Sequence, residues 1–214
     1  MQQKQDIKGF TLLELIVVVT IVAIVSAVGY PNFMDWRKDR EVRLAVEKVS
    51  TMLKSINTQA QRGNFAVVQL YVQKSGSDNT IFYSRGINQE TEATITNTPG
   101  QNINCLYNQS YWRDNNNQVE NFTLEVQTQI DPIGTVCFSK DTRHYLAEGK
   151  LKQPQTNLSV DGRLINNYLI ICSSGTTCPL SSGWKDPTYL VEWNRFGNIA
   201  KYKWSEKRNA WNRI

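Results

Sequence analysis

Glu14 is the one charged residue in a run of 21 residues, numbers 10–30, that is otherwise almost entirely apolar. A charged side chain at the centre of a lone membrane helix costs roughly 2.5 to 3.5 kcal/mol on insertion scales, so such residues are rare without a partner. We therefore expect a group of opposite charge to neutralise Glu14. The alternative is that Glu14 lies near its helix end and extends its carboxylate to the membrane interface.

Four cysteines, Cys105, Cys137, Cys172 and Cys178, all lie at or after position 105, and an even number is typical of disulfides in an exported domain. The segment SSGTT between Cys172 and Cys178 can turn tightly, so we prefer that pairing, which leaves Cys105 with Cys137. Four reduced and buried cysteines are the alternative. The spacing contains no CxxC pair and His144 is the single histidine, so we expect no metal site and no cofactor.

The patterns that would indicate catalysis are missing from the sequence. It contains no Gly-rich phosphate loop, no HExxH and no GxSxG. His144 could serve as a base, but no nucleophile is indicated near it. We therefore expect that the chain is not an enzyme.

The C-terminal segment is rich in cations, with Tyr202, Trp204 and Trp211 interleaved among them. The basic residues after position 188 are Arg195, Lys201, Lys203, Lys207, Arg208 and Arg213. Cations bind phosphates and aromatic rings stack on unpaired bases, so DNA binding is one interpretation. We favour the other, a half-exposed edge strand with Tyr202 and Trp204 on one face and the two lysines on the opposite face.

An apolar helix must position Glu14. At about 1.5 Å per residue, residues 10–30 would cover roughly 31 Å, the thickness of one bilayer core. Lys4 and Lys8 precede this helix, and the positive-inside rule then predicts that the rest of the chain is exported. A cleaved signal peptide is the alternative, but the long apolar run and the internal Glu14 favour a retained helix.

The helical pattern continues beyond Pro31 in the sequence MDWRKDREVRLAVEKVSTMLKSINTQAQRGN. Its apolar residues recur at intervals of three and four, which predicts one buried stripe. The members of this stripe are Val42, Ala45, Val46, Val49, Met52, Leu53, Ile56 and Ala60. We predict one helix over residues 10–62, kinked near Pro31 and ended by Gly63; a boundary between two helices at Pro31 is the alternative.

The remaining sequence predicts a mostly antiparallel sheet. Period-two patterns or short apolar runs indicate strands at 65–73, 81–84, 122–130, 135–139, 168–172 and 189–193. A hairpin turn is expected at residues 194–198. Residues 85–121 have no strand pattern and are predicted to form mainly a long surface loop.

Gly9 followed by Phe10-Thr11-Leu12-Leu13-Glu14, after a short basic leader, resembles the class III signal of type IV pilins and type II secretion pseudopilins. The resemblance implies that a prepilin peptidase cleaves between Gly9 and Phe10 and N-methylates Phe10. It implies that Glu14 faces the Phe10 amine of an adjacent subunit, and that Pro31 marks a place where the helix bends. The implied fold is α+β and type IV pilin-like, with a long N-terminal helix, half apolar and half amphipathic, packed on a mostly antiparallel β-sheet head.

The pair Phe196-Gly197 in the terminal hairpin resembles the end of GspH/FimT-type heads, in which two small sheets pack on the long helix. Some FimT-type pilins capture DNA around a glycine-arginine motif, but Asn198 follows Gly197 here. The domains expected are a leader (1–9), a membrane or filament-core helix (10–30), its amphipathic continuation (31–63) and a disulfide-containing head (64–214).

The resemblance implies a FimT/FimU-like minor pilin that helps to initiate or link a pilus. A GspH-like secretion pseudopilin, and a tip pilin that binds DNA or surfaces, stay open as alternatives. The implied partners are prepilin peptidase, other major and minor pilins, and the inner-membrane assembly platform. The implied location is the bacterial inner membrane with a periplasmic head, followed by the pilus filament.

Overall fold

The computed structural model describes these residues of the chain: 11–76, 78–99, 102–106, 108–113, 118–140, 146–149, 151, 158–180 and 182–214. The chain divides into two compact units, Met1–Lys38 and Asp39–Ile214. The helices of the described part are α1 (Leu12–Gln61), α2 (Gln89–Thr96) and α3 (Ser110–Arg113). Its strands are β1 (Val67–Ser75), β2 (Asn79–Ile87), β3 (Gln118–Leu124), β4 (Val126–Thr128), β5 (Ile133–Ser139), β6 (Leu146–Gly149), β7 (Leu158–Val160), β8 (Arg163–Ile165), β9 (Tyr168–Ser173), β10 (Thr188–Trp193), β11 (Ile199–Ser205) and β12 (Ala210–Arg213).

The apolar stripe of helix α1 is buried and the helix ends close to Gly63, as the sequence predicts. All eight apolar residues of the predicted stripe are at most 3% exposed. The helix stops at Gln61, and Gly63 takes a positive φ of 76°. The amide of Asn64 then donates to the carbonyl of Gln59 at 3.2 Å, which satisfies a carbonyl at the helix end.

Two antiparallel sheets form the second unit. The first sheet has the order β3-β2-β1-β5-β6, and the second has the order β12-β11-β10-β9-β4. A separate hairpin joins β7 to β8. A long α-helix on antiparallel sheets confirms the predicted α+β, type IV pilin-like fold.

Both sheets are covered on both faces. Alternate residues of a strand point to opposite sides, so each sheet contributes side chains to two core clusters. The largest core cluster joins the α1 stripe to β1 and β5 of the first sheet and to β9 and β10 of the second. A second cluster covers the other face of the second sheet with residues of β7, β8 and Trp184. A third covers the other face of the first sheet with Ile95, Ile103 and Trp112.

The prediction of a long surface loop over residues 85–121 is wrong. Strand β2 continues to Ile87, and α2 and α3 follow within this segment. Asn88 caps α2, since its side-chain oxygen accepts a hydrogen bond from the Thr91 amide at 2.8 Å. The buried residues of this segment, among them Ile95, Ile103 and Trp112, stand singly between polar residues. They form no periodic pattern from which the sequence could predict their burial.

The predicted strand at 122–130 is two strands. The chain leaves the first sheet after Leu124 and enters the second at Val126. The short strands β6, β7, β8 and β12, of three or four residues each, have no strand prediction at all. Strand β11 is also not an edge strand, because β12 pairs with its free side.

Candidate functional site

Thr11 caps the N-terminus of α1. Its hydroxyl accepts a hydrogen bond from the Glu14 amide at 3.2 Å, and its carbonyl accepts one from the Leu15 amide at 3.1 Å. Thr-x-x-Glu is the spacing of a capping box, a signal in the sequence that our interpretation of Glu14 leaves out. A carboxylate in the first helical turn also gains about 0.3–1 kcal/mol from the helix dipole.

Glu14 is exposed, whereas Gly9 and Phe10 lie outside the described residues. The leader residues Lys4 and Lys8 also lie outside them. The predicted cleavage bond and the predicted partner amine of Glu14 therefore stay predictions.

Large apolar side chains are exposed around the whole N-terminal part of α1. They are Leu12, Leu13, Leu15, Ile16, Val17, Val18, Val19, Ile21, Val22, Ile24 and Val25, each 48–76% exposed. A helix that is apolar on every side is typical of a membrane span or of a core between helices. Thr20 fits such surroundings, because its hydroxyl donates to the Ile16 carbonyl at 2.7 Å.

No unbroken helix in the described part of the chain passes a length and hydropathy test for a membrane span. A bent pair, Leu12–Ala27 and Gly29–Gln61, passes that test together. The break lies at residue 28, next to Gly29 and three residues before Pro31, which is internal to α1. Proline lacks the amide that would bond one turn back, so the bend has an identified cause.

Four contacts at three points tie α1 to the C-terminal hairpin β10–β11 inside the second unit, and we name them the helix clamp. At its first point, Asp39 pairs with Lys203 at 2.7 Å and accepts a hydrogen bond from the Tyr189 hydroxyl at 2.9 Å. At the second, Glu47 pairs with Lys201 at 2.6 Å.

The third point of the helix clamp is the turn between β10 and β11. The Asn57 amide donates to the Phe196 carbonyl at 3.2 Å. Gly197, at a φ of 79°, lies so close that a Cβ there would overlap the Asn57 side chain. The pair Phe196-Gly197 carries the resemblance to GspH/FimT-type heads, and in the structure the contact with Asn57 leaves no room for a side chain at position 197.

The clamp changes the electrostatics of Tyr189. Burial raises the pKa of its hydroxyl above the ordinary tyrosine value, and the hydrogen bond that it donates to Asp39 raises it further. The neutral hydroxyl is thus the form that the fold favours.

The six basic residues that could form a DNA surface do not converge. Lys201 and Lys203 face α1 and are paired with its carboxylates. Arg195 is exposed at the β10–β11 turn, with its guanidinium 4.8 Å from the Phe196 ring centre. Strand β11 separates that turn from Lys207 and Arg208, a distance of roughly 20 Å at about 3.4 Å per residue.

Lys207, Arg208 and Arg213 are exposed at and beyond the β11–β12 turn. Arg208 donates to the Asn212 side chain at 3.1 Å. Arg213 pairs with Tyr202 halfway along β11, so only two of these cations, Lys207 and Arg208, lie at the turn, and the six predicted residues do not form one surface.

The structure joins Cys105 to Cys137 and Cys172 to Cys178, with Cα–Cα distances of 5.8 and 5.7 Å. This is the pairing preferred from the sequence. The first bond fastens the segment after α2 to strand β5, and the second closes the turn after β9.

Within the described residues, no group of three or more His, Cys, Asp or Glu side chains could hold a metal ion. His144 lies outside the described part of the chain. A further feature has no signal in the sequence: Trp184, Trp204 and Trp211 come together in one aromatic cluster with ring centres 4.9–5.3 Å apart.

Comparison with known proteins places the N-terminal segment in context. The prokaryotic N-terminal methylation motif matches residues 4–30. Two fimbrial proteins of Pseudomonas aeruginosa are each 42% identical over 45 residues, which is 21% of this chain and 29% of theirs. No solved structure matches the chain.

The matches thus cover less than a third of the length of these curated relatives. The methylation motif includes the beginning of the capped, apolar part of α1, and an α+β unit with two disulfides follows it. Together, the methylation motif, the likeness to fimbrial proteins and the long helix on antiparallel sheets support a type IV pilin.

Proposed function

We propose that the chain is a filament subunit, a minor type IV pilin of the FimT/FimU type that helps to initiate or link a pilus. The observation that carries the proposal is the methylation motif on a helix with apolar side chains exposed on all sides. Such a helix needs lipid before assembly and neighbouring helices afterwards. The folded second unit would project from the filament.

The proposal includes processing and location. Prepilin peptidase would remove residues 1–9 and methylate the new amine at Phe10. The helix over 10–30 would hold the subunit in the inner membrane, with 31–63 continuing it and 64–214 forming a periplasmic head. Other major and minor pilins and the inner-membrane assembly platform would be its partners.

Glu14 would pair with the Phe10 amine of the neighbouring subunit. Unit charges 4 Å apart attract by about 1 kcal/mol in water and about 4 kcal/mol at an effective dielectric of 20, so the pair matters where water is scarce. The capping box gives Glu14 a second role, which a glutamine at this position would retain.

The pairing is tested with Glu14→Gln and Thr11→Ala. Quantifying the subunit in sheared filaments by immunoblot, we expect Glu14→Gln to lower incorporation at least tenfold. Thr11→Ala, which removes the cap and keeps the charge, should lower it far less. Normal incorporation of Glu14→Gln would contradict the charge pair.

The filament proposal itself is tested by mass spectrometry of the same sheared material. The expected N-terminal peptide begins with N-methylated Phe10. A chain that retains Met1, or that starts near Tyr30, would overturn the processing step.

A GspH-like pseudopilin of a type II secretion system is the second candidate, because the signal around Gly9 resembles both classes. Pro31 favours the pilin, since this proline is usual in pilins and less so in that pseudopilin type. Presence in a secretion complex together with absence from pili would decide for the pseudopilin. We do not extend the proposal to DNA uptake, because the clamp occupies Lys201 and Lys203.

A further inference from the structure

Three aromatic side chains follow the apolar run of α1. Tyr30, Phe33 and Trp36 are 66%, 55% and 54% exposed, and the rings of Phe33 and Trp36 lie 5.8 Å apart. All three belong to the first unit, Met1–Lys38. The described chain therefore leaves more than half of each of these large apolar rings uncovered.

Aromatic residues are confined to the two ends of this apolar run. Residues 11–29 contain no Phe, Trp or Tyr, whereas Phe10 precedes them and Tyr30, Phe33 and Trp36 follow them. Trp and Tyr are enriched at membrane–water interfaces, because their rings are apolar and their N–H or O–H groups bond to water. Packing between helices gives no reason for this confinement, since small and aliphatic residues serve along a whole helix interface.

The spacing along α1 agrees with the dimensions of a bilayer. At about 1.5 Å per residue, Tyr30 lies roughly 27 Å and Trp36 roughly 36 Å beyond Leu12. A hydrocarbon core is about 30 Å thick, and the headgroup regions bring the total to about 40–45 Å. When Leu12 lies at one edge of the core, the three rings extend from the other edge into the headgroup region. The bend at residue 28 shortens the rise of this segment and so keeps Trp36 inside that region.

Polar and charged residues accompany the rings. Asn32 and Asp35 stand between them, and Arg37 and Lys38 follow Trp36 directly. All four of these polar side chains are exposed. Charged groups are costly in hydrocarbon but hydrated among headgroups, and the two cations complement lipid phosphates. The segment thus fits the layer between hydrocarbon and bulk water better than either of them.

We propose that Tyr30, Phe33 and Trp36 form an aromatic belt in the lipid headgroup region, in the leaflet opposite the leader, and that this belt sets the depth of α1 in the membrane. The inference rests on the proposed function, because it requires that residues 10–30 span the membrane. It goes further by naming the side chains that contact the headgroups. A subunit that enters a filament must then move these rings out of the lipid.

Trp36 is a built-in fluorescent reporter of this position. It is 54% exposed, whereas the other five tryptophans are at most 8% exposed. Bromine atoms on lipid chains quench tryptophan fluorescence only at short range. Brominated lipids should therefore act on Trp36 and leave the emission of the buried tryptophans unchanged.

The test uses the full chain in vesicles of phosphatidylcholine with a minor share of phosphatidylglycerol. Part of the phosphatidylcholine carries bromine either on the upper acyl chain, near the headgroup, or near the chain end. We expect the upper bromines to quench the Trp36 emission about twofold more strongly than the lower ones. Trp36→Phe keeps a ring in the belt and removes the reporter, so its residual emission is the background to subtract.

A reporter inside the apolar run gives the matched control. Val22→Trp in the Trp36→Phe background places the indole near the middle of residues 10–30, where the lower bromines should quench more strongly. Replacing Tyr30, Phe33 and Trp36 by alanine in the Val22→Trp chain removes the belt and keeps the helix, since alanine is the best helix former. The ratio of lower to upper quenching should then fall by about twofold, because the helix loses its fixed depth.

Flotation of the same vesicles separates this inference from the proposed function. Failure of the full chain to float with the vesicles would overturn both. Flotation with stronger quenching of Trp36 by the lower bromines, or with no quenching, would overturn the aromatic belt alone, and an unchanged ratio in the alanine variant would overturn its control of depth. Absence of quenching together with cross-linking between copies through position 36 would assign the rings to a helix of a second copy.

Discussion

At the scale of single residues, the helix clamp explains positions that look ordinary in the sequence. Gly197 needs both a left-handed backbone and the absence of a side chain, because Asn57 fills the space where a Cβ would lie. Tyr189 and Lys203 share one carboxylate, Asp39, from neighbouring strands.

Gly197→Ala should be more destabilising than an equivalent change at Gly175. Both glycines have positive φ, 79° and 74°, but a Cβ at Gly175 would meet nothing within 4 Å. Backbone strain costs about 1 kcal/mol in both variants, and overlap with Asn57 adds about 1–3 kcal/mol in the first. In thermal unfolding followed by near-UV circular dichroism, we expect the midpoint of Gly197→Ala to lie about 2–12 °C below that of Gly175→Ala. Equal midpoints would contradict the close packing.

Tyr189→Phe should lower stability at neutral pH by about 1–2 kcal/mol, because the hydroxyl donates to a carboxylate. The pKa of Tyr189 is raised in the fold, so the native state holds the proton more tightly than the unfolded chain. The contribution of Tyr189 to the free energy of unfolding is complete below the ordinary tyrosine pKa of about 10. It is lost as the pH rises through the higher pKa that Tyr189 has in the folded protein.

Unfolding of the wild type and of Tyr189→Phe should therefore be compared across pH 7–12. We expect the wild type to lose stability more steeply above about pH 10, so that the difference between the two proteins narrows. A constant difference over this range would show that Tyr189 does not titrate as the clamp geometry requires.

At the scale of elements, the disulfides act on different segments. Cys105–Cys137 closes a sequence separation of 32 residues and fastens the helical segment after β2 to the first sheet, whereas Cys172–Cys178 closes a separation of 6. On the chain-entropy model, these loops are worth about 3.7 and 2.3 kcal/mol. Both bonds thus stabilise the second unit, but the longer one also holds Trp112 in place.

Replacing Cys105 and Cys137 together by alanine should cost more than replacing Cys172 and Cys178. We expect an additional loss of about 1–2 kcal/mol and faster protease cleavage within residues 89–113. The matched double variant Cys172→Ala/Cys178→Ala should keep that segment protected. Equal protection in both double variants would show that side-chain packing alone holds the segment.

Periodicity made some elements predictable and left others hidden. The α1 stripe was readable because eight apolar residues recur at helical spacing, and β5, β9 and β10 because each is a short apolar run. The segment around Trp112 and the hairpin β7–β8 were not, because their burial depends on partners far along the chain. The aromatic cluster is hidden for the same reason, because its rings come from residues 184, 204 and 211.

At the scale of the whole molecule, every residue in the three core clusters of the described chain lies at or after Val42. The second unit, Asp39–Ile214, therefore has its own core, whereas the N-terminal part of α1 has an exposed apolar surface. This division predicts different solubility for the two parts.

A chain that begins at Gly29 should stay folded and monomeric without detergent. The full chain should need detergent, because the apolar side chains of residues 12–25 would otherwise associate. Gel filtration and near-UV circular dichroism of both proteins give the comparison. Aggregation or loss of the near-UV signal in the shortened chain would show that the second unit depends on the apolar helix.

The helix clamp also determines how the second unit would respond to mechanical load. A pull on α1 along its axis would act on Asp39, Glu47 and Asn57 together, since all three are fastened to the same hairpin, β10–β11. Contacts loaded in parallel share a shearing force, whereas contacts loaded in series break one by one. Tension that enters through the beginning of the chain would thus be resisted by its last strands.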